Sequence, residues 1–170
     1  MGVNGGRMCT PGEQPVSPGA AGTRELEAGK SVQHVFVGVY ERQLDERGRV
    51  ALPTSFRSSI GEHCYLTYGE DGCVRVLSEE SFRLEAQEFV DGVKSGETSR
   101  SKQRAFASSV VVASLDKQGR IVVDQRLREH AGIEPQAPIV VLGVLDRIEI
   151  WEPARYSAEE ATGKRELAGD

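Results

Sequence analysis

From Val35 onward the chain alternates short apolar runs with polar punctuation, and it does so twice. Val35 to Leu44 and Val110 to Leu115 read as extended runs, and each stops at an Asp-x-x-Gly tetrapeptide. Asp bonds its own backbone two residues on, and Gly supplies the positive φ of a three-residue hairpin loop with a bulge. Arg49-Val50-Ala51-Leu52 and Arg120-Ile121-Val122-Val123 then leave as return strands. The match is a repeat: Leu44-Asp45-Glu46-Arg47-Gly48-Arg49-Val50 recurs 71 residues on as Leu115-Asp116-Lys117-Gln118-Gly119-Arg120-Ile121. At the same offset Phe56-Arg57 meets Leu127-Arg128, and Ile60-Gly61 meets Ala131-Gly132.

A short helix follows each return strand. In the first copy Pro53 is expected at the first helical position, where a missing N–H costs nothing, with Gly61 just past the end. In the second, Asp124 stands at the start and Gly132 past the end, and exchanging Pro53 for Asp124 is expected to be structurally neutral. A second hairpin comes next. Cys64 to Tyr68 turns through Gly69-Glu70-Asp71-Gly72 into Cys73 to Leu77, and Ile139 to Gly143 turns at Asp146-Arg147 into Ile148 to Trp151. Alternation at Val74 and Val76, and at Ile148 and Ile150, marks strands with one buried face. Helices are expected to start at Ser78 and Pro153, the first with a stripe of Phe82, Ala86, Phe89 (or Val90) and Val93. A further helix over about 97–108 joins the copies. One copy is too small to close a core, so the two must pack on each other.

The repeat gives the division of the chain: a tail over 1–34, a first repeat over 39–82, a helical connector over 83–109, a second repeat over 110–153 and a C-terminal helix and tail over 154–170. Residues 1–34 hold ten Gly or Pro, no aromatic residue and no net charge, which reads as a disordered, dispensable segment. Hydrophobic residues are 38% of the 170, an ordinary globular share, and no apolar run approaches the ~18 residues of a membrane span. Three cysteines (Cys9, Cys64, Cys73) form no disulfide framework, and Cys64 and Cys73 suit buried apolar positions in a reducing compartment. With no signal-peptide h-region either, the expectation is a cytoplasmic protein.

The formal charge is −5, unevenly placed. Residues 35–93 carry −5, residues 94–130 carry +4 and residues 131–170 carry −4. Cations thus gather at the two turns and the connector (Arg100, Lys102, Arg104) of an otherwise acidic body. Each neutralised phosphate releases counterions whatever the rest of the surface carries, and a β-hairpin tip fits a major groove about 12 Å wide.

From Phe36 to about Tyr156 the chain resembles the MraZ family of bacterial transcription regulators, relatives of the AbrB-type swapped-hairpin DNA binders. The resemblance is carried by Phe36-Val37-Gly38, the two Leu-Asp-x-x-Gly-Arg turns, Arg128-Glu129-His130-Ala131-Gly132 and Asp146-Arg147-Ile148-Glu149-Ile150-Trp151. The family's Asp-x-x-x-Arg signature falls on Asp45/Arg49 and Asp116/Arg120. The resemblance begins at Phe36, so residues 1–34 read as an extension or a misplaced start. It implies a mainly β, α+β fold with short helices: tandem AbrB-like repeats forming a double-ψ-like β-barrel core with peripheral helices. It also implies a sequence-specific repressor of the division and cell-wall gene cluster, a ring-shaped homo-oligomer on double-stranded DNA in the nucleoid. DNA contact is assigned to Arg47, Arg49, Lys117 and Arg120, and turn shaping to Asp45, Gly48, Asp116 and Gly119.

Two other classes were weighed on residues. An enzyme needs a nucleophile and a base, but His63 and Cys64 are strand neighbours that point to opposite faces. His34, His63 and His130 lack metal-ligand spacing with the cysteines, and no Gly-rich loop precedes a helix as a phosphate cradle does. His130 reads as a polar residue in a helix's last turn. No catalytic residue, metal, cofactor, small-molecule substrate or membrane partner is therefore expected. An antitoxin-like interaction module would carry one copy and a long tail, which the tandem repeat disfavours.

Overall fold

The computed structural model describes residues 35–169. The expectations for the tail, for Cys9 and for His34 lie outside the described residues. The strands are β1 (Phe36–Gln43), β2 (Arg49–Ala51), β3 (His63–Tyr68), β4 (Val74–Ser78), β5 (Val111–Ser114), β6 (Arg120–Val122), β7 (Pro138–Leu145) and β8 (Arg147–Trp151). The helices are α1 (Thr54–Ile60), α2 (Glu79–Ser95), α3 (Arg100–Ser109), α4 (Gln125–Ala131) and α5 (Pro153–Ala168).

Six strands form one antiparallel sheet in the order β1-β7-β8-β4-β3-β5, and β2 and β6 form a separate two-stranded ribbon. Exchanging the repeats (β1 with β5, β3 with β7, β4 with β8) reverses the order without changing it. The pseudo-symmetric centre is the β4–β8 pair, where Val74 faces Ile150 and Val76 faces Ile148. Besides that pair, three pairings cross between repeats. β1 lies along β7 from Phe36 opposite Leu145 to Gln43 opposite Pro138. β5 lies along β3, and β2 along β6. One shared core results: Leu44, Leu52, Phe56, Ile60, Leu66 and Val76 bury against Ile121, Leu127, Ile139, Val141, Ile148 and Ile150. Phe56 meets Phe36 and Tyr40 edge-to-face at 5.5 and 5.3 Å.

Three expectations need correction. The sheet is not a closed barrel: β1 and β5 are its two edges. Each ends at an Asp-x-x-Gly turn that carries the chain out of the sheet into the ribbon, so the edges never meet. Second, the return strand is not the ladder partner of the strand before it. Two backbone bonds, Asp45 N–H to the Arg49 carbonyl at 2.9 Å and Gly48 N–H to the Asp45 carbonyl at 3.1 Å, hold the turn closed; β2 then pairs with β6. Third, the fold is mixed α+β rather than mainly β with short helices. α2 and α5 run 17 and 16 residues, because Ser78 and Glu152 cap their N-termini and left-handed Gly96 and Gly169 close their C-termini.

The first short helix begins one residue later than expected. Pro53 is the residue before the first turn of α1 and offers no side-chain cap. At the equivalent place Asp124 accepts a hydrogen bond from the Arg126 amide at 2.9 Å. The exchange thus adds one cap bond. α2 and α3 form a helical pair laid on β3, through a stack running from Tyr65 to Phe82, Phe106 and Phe89. α5 has no such partner helix among the described residues and is held by Tyr156 against Trp151 and by Arg155.

Candidate nucleic-acid interface

The two Asp-x-x-Gly-Arg turns have the same internal chemistry. Asp45 Oδ1 accepts the amides of Arg47 (2.9 Å) and Arg49 (2.8 Å), while Oδ2 accepts Arg49 Nε at 2.6 Å. Asp116 Oδ1 accepts the amides of Gln118 and Arg120 (both 2.9 Å), and Oδ2 accepts Arg120 Nε at 2.7 Å. These bonds act on the ionised carboxylate and hold both Asp side chains below the usual carboxylate range; the Arg49 and Arg120 backbone amides contribute most. Gly48 and Gly119 close the turns at φ 73° and 71°, where a Cβ would be strained.

The ribbon sets where the signature arginines point. Val50 and Ile121 face each other and are buried, so their neighbours Arg49, Ala51, Arg120 and Val122 share the opposite, outer face. Arg49 and Arg120 therefore stand on one face, half-buried, each committed at Nε to its own Asp. Arg47 and Lys117 are exposed at the turn apices, as are Glu46 and Gln118. The structure thus gathers the four cations around one ribbon but divides them: two at the apices, two bracing the turns.

Arg57 and Arg128 occupy matched positions of the repeat, and neither is among the residues expected at the site. Arg57 Nε donates to the Leu52 carbonyl at 2.8 Å and Arg128 Nε to the Val123 carbonyl at 3.1 Å. Each side chain lies over the turn glycine of the other repeat: Arg128 over Gly48, Arg57 over Gly119. The available signal was their shared place in the repeat, nine residues after the glycine whose partner each covers.

The rival chemistries find no assembled site. His63 is exposed and meets the Ser114 hydroxyl at 2.9 Å, whereas Cys64 beside it is fully buried. Cys64 and Cys73 are free thiols pushed up to about 12 by burial, which leaves them protonated and inert at neutral pH. His130, in the last turn of α4, bonds through Nε2 to the Gly69 carbonyl and packs on Tyr68. Among the described residues no three His, Cys, Asp or Glu converge as a metal site, and no helix is long and apolar enough to cross a membrane.

A family model described as "MraZ protein, putative antitoxin-like" matches residues 35–104 and again 106–167. The chain belongs to the MraZ family. The two matches divide close to the start of β5, as the repeat does. Similar proteins named "Transcriptional regulator MraZ" include one from Lachnoclostridium phytofermentans, 38% identical over 79% of this chain and 93% of that protein. Another from a Nocardioides species is 35% identical over 78% and 91%, and one from Bifidobacterium longum 34% identical over 80% and 91%. The family is one of transcriptional regulators, not of enzymes. A solution structure of PHS018 from Pyrococcus horikoshii covers 66% of this chain and 94% of its own at 17% identity and a TM-score of 0.30, too low to inform the argument.

Proposed function

We propose that this protein is a sequence-specific, DNA-binding transcriptional regulator that touches double-stranded DNA through its two cationic turns. The supporting observation is the ribbon, which turns Arg49 and Arg120 to one outer face and leaves Arg47 and Lys117 exposed at the apices beside it. A two-stranded ribbon is narrow enough for a major groove. Arg47 and Lys117 make the phosphate contacts. Arg49 and Arg120 divide their guanidinium groups, with Nε holding the turn and the terminal nitrogens turned toward DNA. The naming of the relatives supports regulation of transcription, and the family resemblance supports repression of the division and cell-wall cluster from the nucleoid.

So few cations reach only about 10⁻⁴–10⁻⁶ M at physiological salt, short of the 10⁻⁸ M or better of specific regulators. Assembly into a homo-oligomeric ring, engaging repeated elements, makes later contacts intramolecular and adds about 10²–10⁴ in affinity.

The test is a titration against probes with one, two and three copies of the promoter element at several salt concentrations. Arg47→Ala with Lys117→Ala should weaken binding and flatten the slope of log K against log salt by about 0.9 per lost contact in each subunit engaged. Unchanged affinity and slope in that double variant would overturn the assignment. Equal affinity for one and three elements, from a protein monomeric by light scattering, would overturn the avidity.

A further inference from the structure

We propose that Arg57 and Arg128 are positioning residues acting across the repeats: Arg57 sets the shape of the second repeat's turn, and Arg128 that of the first. What the turns do with DNA rests on the reading above, whereas the positioning stands on contacts within the protein.

The chain of contact is short. Arg57 leaves α1 of the first repeat and does not brace its own turn. Its Nε fixes the Leu52 carbonyl at 2.8 Å, and the Leu52 N–H donates to the Gly119 carbonyl at 3.0 Å. Its side chain fills the space over Gly119 so fully that a Cβ there would overlap Nε, Cζ and Cδ. The mirror image runs from Arg128 on α4. Its Nε fixes the Val123 carbonyl at 3.1 Å, the Val123 N–H donates to the Gly48 carbonyl at 2.8 Å, and a Cβ on Gly48 would stand 3.1 Å from Arg128 Nε. Both glycines are buried although the residues before them are exposed.

Two staples thus act on each turn. Asp45 with Arg49, and Asp116 with Arg120, work within the repeat and set hydrogen-bond closure. Arg128 and Arg57 work from the other repeat and set where the closed turn sits, because they cover the glycine itself and fix the carbonyl of the strand residue (Val123 or Leu52) whose N–H binds the glycine carbonyl. Arg suits this place since a flat, planar guanidinium packs over a bare backbone while its Nε–H still donates in plane. The glycines then answer two demands at once, positive φ and the close approach of a foreign side chain. It follows that neither turn is an independent reading head.

The experiment is residue-resolved amide hydrogen exchange on the full chain without DNA, with the core amides of Leu66 and Val76 reporting global opening. Arg128→Ala should speed exchange at Gly48 and Arg49 by about five- to tenfold, the loss of roughly one hydrogen bond, and leave Gly119 and Arg120 at their rates. Arg57→Ala should do the reverse. Arg128→Lys and Arg57→Lys keep the charge without the planar fork; they should show the same crossed pattern at smaller size and serve if the Ala variants fail to fold. Loosening of the turn in the variant's own repeat, of both turns alike, or of neither would overturn the proposal. The same variants titrated with the promoter probe separate the two readings. Crossed exchange with unchanged affinity sustains the positioning and overturns the DNA role, while uncrossed exchange with lost affinity does the opposite.

Discussion

The two repeats differ in how their short helices are secured and agree in how their turns are built. α1 starts at Pro53 without a side-chain cap and ends at Gly61 with no backbone bond back to the helix. α4 starts under Asp124 and ends at left-handed Gly132, whose N–H returns to the Arg128 and Glu129 carbonyls. In the turns, by contrast, the three bonds to each Asp agree to about 0.1 Å between copies. The helices need only deliver Phe56 or Leu127 to the core and Arg57 or Arg128 to the opposite turn, and several caps can do that. A turn fixed by one carboxylate, one positive-φ glycine and one covering arginine admits far less variation.

The covering arginines nevertheless fit unequally, and breaking that fit gives the largest expected effect. Ala at either glycine meets about 1–2 kcal/mol of left-handed strain. At Gly119 the new methyl also overlaps Arg57, which the Leu52 carbonyl holds in place, and overpacking adds about 1–3 kcal/mol. At Gly48 the methyl would stand 3.1 Å from Arg128 Nε, which yields by a few tenths of an ångström. Gly119→Ala should therefore cost about 2–5 kcal/mol in urea unfolding and Gly48→Ala about 1–3 kcal/mol. Adding Arg57→Ala to Gly119→Ala should recover the overlap portion. Equal costs at the two glycines, or no recovery, would show that the arginine is not what fills that space.

The same contrast explains what could be read from the chain alone. The turns, the capping glycines and the second hairpins were legible because each is decided within about five residues by φ preference, side-chain reach and alternation. Strand partners were not. The offset that relates Asp45 to Asp116 states equivalence, and Val50 has the same apolar-in, polar-out neighbours whether β2 lies against β1 or against β6. At the candidate site, Asp45 and Asp116 each accept two backbone amides of their own turn, a bond that Asp in Asp-x-x-Gly makes locally. The ion pairs of Arg49 and Arg120 did not enter their assignment to DNA contact, although the aspartate four residues earlier was a ready partner. Arg57 and Arg128 went without a role because their targets lie in the other repeat, and nothing local marks a buried glycine as covered from a distance.

A smaller effect sharpens the cap difference. Asp124→Ala removes the bond to the Arg126 amide and should cost about 1 kcal/mol, the usual worth of an N-cap. Pro53→Asp should gain a similar bond but lose the restriction that proline places on the unfolded chain, worth about 0.4–1 kcal/mol. Since Pro53 already sits at φ −52° without strain, the two terms nearly cancel. Thermal unfolding should show a fall for Asp124→Ala and a shift close to zero for Pro53→Asp. A clear gain in the latter would mean that the missing cap, not the proline, limits α1.

The smallest expected effect is a pH dependence in which the copies should not differ. Asp45 and Asp116 are lowered by the same bonds in the same order, first the arginine backbone amide and, among the bonding contributions, next its side chain. A carboxylate depressed in the folded state binds its proton more readily when unfolded, so it contributes stability above the unfolded value near 4. That contribution fades as pH falls through the folded pKa. Asp45→Asn and Asp116→Asn keep an oxygen for the backbone amides but lose the ion pair with Arg Nε. Each variant should be less stable than the parent at pH 7 and at pH 5, with the gap closing toward pH 3. The two gaps should match, because the pairs are similarly accessible: side-chain exposure is 27% and 30% for Arg49 and Asp45, and 28% and 36% for Arg120 and Asp116. Denaturant unfolding at those three pH values measures the gaps. A larger gap at one turn would locate there an asymmetry that the bond lengths do not contain, and the covering arginines, unequal in their fit over Gly48 and Gly119, would be its source.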